Sequence, residues 1–323
     1  MKLSKDDPLI VLKKLRSHEL FDRLYQFSFS NNSRTKLKWN TKSNAIRSWN
    51  QIPLVQERIN FRITGSGEET FKEWACKNLF SDGLRRTAIS LGCGDGEKEV
   101  DWAKRDVFQS LVGLDLSDAR IARANRLAYD SGLSEKLKFQ VADINALEAT
   151  GDKYDVVIFE HSLHHFSNVD HVLEQVRNIL KPGGYLVGDE YVGPRRFQWD
   201  ANQIILANMI LNKIPSNFRK NYSGLSVKNK NLYAGEFLMW LHDPSEAVES
   251  DKIENCLSKT FKENRFFYYG GTISHLVFHD IAQNFSNSDA EADAWVKWVL
   301  DLEDSLIQQN LIQSDFMSFV CRI

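Results

Sequence analysis

Ile89-Ser90-Leu91-Gly92-Cys93-Gly94-Asp95-Gly96 is the stretch on which the fold turns: a short apolar run that opens into a glycine turn and then a helical pattern. Glycine at every second position of the turn lets a ligand approach the backbone, because no side chain stands in its way. Nineteen residues beyond Gly96 lies Asp115, at the end of the next apolar run, Val112-Gly113-Leu114-Asp115. A carboxylate there can accept hydrogen bonds from both ribose hydroxyls of an adenosine-type ligand. A glycine-rich turn alone says little; strand, turn, helix and spaced acid together describe a nucleoside site.

Outward from this stretch, apolar runs at Ala88–Leu91, Leu111–Leu114, Leu137–Val141, Val156–Phe159 and Tyr185–Val187 alternate with helical segments. That alternation predicts an α/β fold, a parallel sheet with crossover helices. The clearest helix spans Val169–Leu180, with Val169, Val172, Leu173, Val176, Ile179 and Leu180 on one face and Lys181-Pro182-Gly183-Gly184 as the turn that ends it. Before the glycine turn, Leu9, Leu12, Leu15, Leu20 and Leu24 fall at helical spacing. A polar loop (Ser30–Lys42), an aromatic-bearing segment (Trp49–Gly67) and a helix near Glu68–Leu79 follow.

Beyond the fifth strand the pattern predicts a helix over Phe197–Ile214 and a polar loop. Asp243-Pro244-Ser245-Glu246 then reads as a helix start, with Asp as N-cap, Pro at N1 and Glu at N3. A strand near Arg265–Tyr269, helices over Ile273–Phe285 and Ala290–Gln309, and a strand at Phe316–Arg322 complete the reading. The implied organisation is a helical cap over 1–80, a ligand-binding core over 81–193, a helical insertion over 194–260 that caps the acceptor site, and a segment over 261–323 that completes the sheet.

Composition narrows the function classes. Hydrophobic residues make up 42% and charged residues 26% of 323, a globular balance. A net charge of −2 without a Lys/Arg run argues against a nucleic-acid partner, which needs a basic surface to neutralise phosphates. Cys76, Cys93, Cys256 and Cys321 are scattered and form no CxxC pair, so neither a disulfide framework nor a zinc knuckle is expected. His161 and His165 share i,i+4 spacing but have no carboxylate at a recognisable ligand distance in sequence, so no metal is expected. Met1 to Pro8 lacks an apolar signal core, and no apolar run approaches the roughly 18 residues of a membrane span; a cytoplasmic location is the expectation.

The glycine spacing bears on the ligand. A dinucleotide site wants Gly-x-Gly-x-x-Gly with a pyrophosphate at the helix start, whereas here the glycines lie two apart and position 97 is Glu, which would repel a pyrophosphate. S-adenosylmethionine has no phosphate and carries a cationic sulfur. An NAD-dependent oxidoreductase and a non-catalytic binder of the same nucleoside remain as other readings.

Five landmarks in order resemble the class I S-adenosylmethionine-dependent methyltransferases over about residues 87–192: the Gly92–Gly96 loop, Asp115, Ala142-Asp143-Ile144, Tyr154-Asp155-Val156-Val157 through His164-His165-Phe166, and Leu180-Lys181-Pro182-Gly183-Gly184. The resemblance implies a doubly wound, Rossmann-like, seven-stranded mixed sheet whose last strand is antiparallel. It implies that S-adenosylmethionine is held by Gly92, Cys93, Gly94, Gly96, Asp115, Leu116, Ala142, Asp143, Ile144 and Glu160, with Asp115 at the ribose and Asp143 at the adenine amine. Ser90 departs from the family, which often has an acid there.

Methyl transfer is an in-line displacement that needs alignment and exclusion of water, and a hydroxyl acceptor must also lose a proton. Candidate bases follow strand four, Glu160, His161, His164 and His165; Asp189, Glu190, Tyr191 and Arg195 follow strand five. His161, His164, His165 and Glu190 are the catalytic candidates, against a plainer reading in which a histidine packs locally and Glu190 pairs with Arg195 or Arg196. Strand four ends in Glu160-His161-Ser162-Leu163, not in the Asn/Asp-Pro-Pro-Tyr of many enzymes that methylate amino groups of nucleic acids and proteins. The expectation is O-methylation of a small molecule or glycan, with N-methylation as the alternative. Trp49, Phe61, Arg62, Phe197, Trp199, Trp240 and His242 are candidates for the acceptor pocket or for the core of a cap, and the aromatic helices outside the core leave a homodimer face open.

Overall fold

The computed structural model describes residues 2–15, 33, 48–144, 153–222, 224, 226–287 and 289–323. Its strands are β1 (Arg86–Leu91), β2 (Phe108–Asp115), β3 (Leu137–Val141), β4 (Tyr154–Glu160), β5 (Leu180–Tyr191), β6 (Glu263–Gly270) and β7 (Phe316–Arg322). They form one sheet in the order β3-β2-β1-β4-β5-β7-β6. The β1–β5 pairings are parallel, and β7 inserts antiparallel between β5 and β6. The expected seven-stranded mixed sheet with an antiparallel last strand is therefore present.

The strands read as continuous apolar runs because both faces of the sheet are covered. Successive side chains point to opposite faces. Ile89, Leu91, Val157, Phe159, Leu186 and Phe319 pack on one side with the helices Val169–Ile179 and Ile253–Thr260. Ala88, Val156, Ile158, Val187 and Val320 face the other side, where Val55, Trp74, Val100, Ile121 and Val296 bring in the helices Pro53–Thr64, Phe71–Leu79, Glu97–Ala103, Asp118–Asp130 and Ala290–Gln308. Each large apolar side chain buried this way contributes about 1.5–3 kcal/mol.

Several boundaries move. The Val169 helix ends at Ile179, and Lys181-Pro182-Gly183-Gly184 belongs to the start of β5. The helix expected near Glu68 starts at Phe71, because Thr70 and Glu73 form a reciprocal capping box. In the insertion, Asp200 caps Gln203 N–H at 2.9 Å, so the helix runs over Ala201–Leu211 instead of starting at Phe197. The segment expected over Ile273–Phe285 is split into a helix, Ser274–Phe278, and a 3₁₀ turn, Ala282–Phe285. Of the first helical pattern, Asp7–Leu15 is a helix; Leu20, Leu24 and the Ser30–Lys42 loop lie outside the described residues.

The helix start at Asp243 is not realised beyond one turn. The Asp243 carboxylate does accept from Ser245 N–H at 2.9 Å, as an N-cap would. However, Ala247 adopts φ 47°, and the carbonyls that would propagate a helix are taken by Arg196. Its Nη1 donates to the Asp243 and Glu246 carbonyls at 3.1 Å each, and its N–H donates to Ala247 O at 2.7 Å. The insertion is thus fastened as an irregular loop, and that loop reaches the site.

Candidate active site

A cavity of about 420 Å³ opens at the carboxyl ends of the parallel strands. All ten residues expected at the cofactor, Gly92, Cys93, Gly94, Gly96, Asp115, Leu116, Ala142, Asp143, Ile144 and Glu160, line it. The first part of the wall is built from bonds between the ends of β1 and β2 and the turns that follow them. Gly92 N–H and Cys93 N–H donate to Leu114 O at 2.8 and 3.0 Å, tying the turn to the end of β2. The Asp115 carboxylate accepts from Gly94 N–H at 3.0 Å and Ser117 N–H at 2.8 Å, which fixes its direction with lone pairs to spare.

The glycines answer to the protein before any ligand. Gly92 and Gly96 lie at φ 78° and 79°, in the left-handed region. A Cβ on Gly92 would stand 2.6 Å from Ser162 Cβ, and one on Gly96 would stand 2.6 Å from Phe139 Cζ. This self-packing is not visible from ligand approach alone. Nor was Glu99 a sequence candidate; it lines the cavity, is 1% exposed and accepts from Ser90 Oγ at 2.7 Å. Burial pushes the Glu99 carboxyl up to about 7.

The remaining wall starts where β4 ends. Glu160 Oε1 is held by Lys72 Nζ at 3.0 Å and by Trp102 Nε1. His161, at φ 55°, lines the cavity and has Nε2 at 3.7 Å from Asp189 Oδ2. Burial, then the charge of Lys98, holds His161 well below the usual histidine range. Burial also pushes Asp189 up to about 7, while Tyr269 OH donates to its other oxygen.

Glu190 is completely buried and accepts from Ser162 N–H and Leu163 N–H at 2.7 Å each, with His164 N–H at 3.4 Å. His164 Nδ1 lies 2.6 Å from its Oε2, and His164 Nε2 lies 3.6 Å from Glu246 Oε1. Burial opposes charge on His164, but Glu190 and then Glu246 outweigh it and raise its pKa. Burial alone would lift Glu190; the His164 charge and the backbone donors hold it below the usual carboxylate range. Neither His164 nor Glu190 lines the cavity. The structure places both as the clamp of the turn after β4, and Glu190 pairs with His164 instead of Arg195 or Arg196.

His165 does reach the cavity. Its Nδ1 lies 3.3 Å from Ser245 Oγ, and that hydroxyl donates to Asp243 Oδ1 at 2.7 Å. With its one proton committed to Asp243, Ser245 accepts from His165, so the ring carries hydrogen on Nδ1 and a lone pair on Nε2. Burial, then the charge on His164, lowers the His165 pKa and keeps the ring neutral.

Arg196, Pro244, Ser245 and Val248 come from the insertion and also line the cavity, although none was expected there. Trp49, Phe61, Arg62, Phe197, Trp199, Trp240 and His242, the acceptor candidates, do not. Trp49 is buried against Phe316 and His275, Phe61 is 58% exposed, and Arg62 pairs with Asp304. Phe197 stacks on Trp199, and Trp240 packs by Phe237, so these rings follow the core-of-a-cap reading. His164, His165 and Glu246 offer ligand atoms within 4.8 Å of one another, and a cation there would have to displace the His164 proton. Glu246 comes from far along the chain, and the group does not include His161, the histidine paired with His165 in the sequence reading. Among the described residues no helix is long and apolar enough to cross a membrane.

This fold agrees with the wider comparisons. A model of the methyltransferase domain matches residues 85–265, more than half of the chain, and the chain belongs to that family. The resemblance drawn from the five landmarks is borne out. Over 120 residues the chain is 31% identical to the 27-O-demethylrifamycin SV methyltransferase of Amycolatopsis mediterranei, covering 36% of this chain and 43% of the relative. It is 27% identical over 133 residues to the demethylmenaquinone methyltransferase of Bacteroides fragilis, covering 40% and 54%. The chain therefore spans about half the length of these relatives. Among solved structures, geranyl diphosphate C-methyltransferase from Streptomyces coelicolor superposes with a TM-score of 0.48 at 14% identity, covering 91% of this chain and 97% of that one.

Proposed function

We propose that this chain transfers a methyl group from S-adenosylmethionine to a hydroxyl of a small molecule. The cavity suits that donor. Asp95, Glu97, Glu99, Asp115, Asp143 and Glu160 line it against Lys98, Arg120 and Arg196, an acidic excess that favours a cationic ligand and opposes a pyrophosphate. When bound, S-adenosylmethionine supplies a methyl carbon activated by a positively charged sulfur.

The observation that carries the acceptor class is His165. Its Nδ1–H is directed through Ser245 to Asp243, its ring is neutral, and it stands in the cavity wall. In this reading Nε2 takes the acceptor O–H proton as the new C–O bond forms and the C–S bond breaks. The relative named for 27-O-demethylrifamycin points to oxygen as well.

The test is His165→Asn, assayed with labelled S-adenosylmethionine against a panel of hydroxylated small molecules. Turnover should fall by about 10²–10⁴-fold, with affinity for S-adenosylhomocysteine unchanged. Because the His165 pKa is lowered, the parent's kcat/KM for the acceptor at saturating S-adenosylmethionine should rise with pH through a midpoint below about 6.5 and stay level through neutrality. Unchanged turnover in the variant would sink the hydroxyl reading and favour a neutral amine, which needs no base.

A further inference from the structure

We propose that Glu99 receives the positively charged amino group of the amino-acid portion of S-adenosylmethionine, standing in from a helix for the acid that strand position Ser90 lacks. The inference rests on the donor reading above and names one of its contacts.

Other carboxylates of the cavity already have donors. Asp115 is oriented by two backbone donors, Glu160 is paired with Lys72, and Asp95 accepts from Arg123 Nε at 2.7 Å. Glu99 differs. Oε1 accepts from Ser90 Oγ, while Oε2 is buried with no hydrogen-bond partner, and among the described cavity-lining residues no other side-chain polar atom is left so. A buried carboxylate oxygen without a donor is costly, and a donor from the ligand removes that cost. The terminal torsion of a glutamate is soft, so a small rotation presents either oxygen to the cavity.

The surroundings select a cation over a neutral donor. Facing Glu99 are Ser90 on β1, Glu160 on β4, Lys72 on the Phe71–Leu79 helix and the Cys93 thiol of the glycine turn. Burial, then the nearby Glu160 charge, raises Glu99 against the opposing hydrogen bond from Ser90. Lys72 is engaged by Glu160 and Asp101, and an ammonium adds a counter-charge of its own and brings three donors. Binding then favours ionised Glu99, so affinity should fall as pH drops through about 7.

Calorimetry with two ligands separates the possibilities. S-adenosylhomocysteine carries the amino-acid portion; 5′-methylthioadenosine keeps the nucleoside and thioether without it. Glu99→Gln should weaken S-adenosylhomocysteine by about 10–100-fold and leave methylthioadenosine unchanged. Ser90→Asp combined with Glu99→Ala should recover most of the loss. The parent's affinity for S-adenosylhomocysteine alone should decline from pH 8 to 6. Equal weakening of both ligands, no weakening of either, or an affinity that rises as pH falls would overturn the assignment. If the parent bound neither ligand, the donor reading itself would fall.

Discussion

The two parts of the cavity wall are made differently. The glycine turn and Asp115 are organised within two consecutive β–α units, by Gly94 N–H to Asp115 across 21 residues and Ser117 N–H to Asp115 across two. The wall around His165 is assembled from distant pieces: the turn after β4, the clamp Glu190 on β5, and the Asp243–Val248 loop held by Arg196. Val248 N–H donates to His164 O at 3.1 Å, joining residues 84 apart. The glycine turn thus rests on two adjacent β–α units and the His165 wall on pieces about 80 residues apart, so, on the proposed function, substitutions in the two should separate nucleoside binding from turnover.

The largest effect expected from this contrast is on stability. Glu190→Ala leaves His164 without its main counter-charge and three backbone N–H groups without an acceptor, which should cost about 3–5 kcal/mol, read as a shift in the denaturant midpoint at constant slope. A cost below about 1 kcal/mol would mean that packing alone holds the turn. On the donor side, Asp115→Ala should lower S-adenosylhomocysteine affinity by about 10–100-fold with a near-normal midpoint. If affinity stayed and turnover fell instead, the division of the wall would be wrong. The smallest effect belongs to Ser245→Ala, which frees the His165 tautomer. Turnover should drop by about five-fold, with nucleoside affinity unchanged and the acid limb of the pH profile displaced.

The same contrast explains what the sequence disclosed. The sheet was legible because strands buried on both faces appear as uninterrupted apolar runs, as in Val156-Val157-Ile158-Phe159. The cavity residues around the glycine turn were legible because a turn, a helix start and an acid at the next strand end are fixed by spacing. His165 was a candidate by type, but nothing in sequence separated it from His161 and His164; Ser245 and Asp243, which set its tautomer, lie about 80 residues on. Asp243-Pro244-Ser245-Glu246 has the composition of a helix start, and Arg196 overrides that local preference by occupying its carbonyls. Ser90 was visible as a gap, whereas the carboxylate that fills it comes from the next helix, a partner that strand periodicity does not reveal.

The contact of Gly92 with Ser162 joins the two parts of the wall. Ser162 Oγ donates to Leu91 O at 2.6 Å, its N–H is bound to Glu190, and its Cβ sits where a side chain on Gly92 would be. The glycine turn has no slack toward the acceptor wall, and a displacement there moves the residue next to the His164 clamp. Under the proposed assignment the two subsites meet at Ser162, and any change that the donor makes in acceptor affinity must be returned by the same factor.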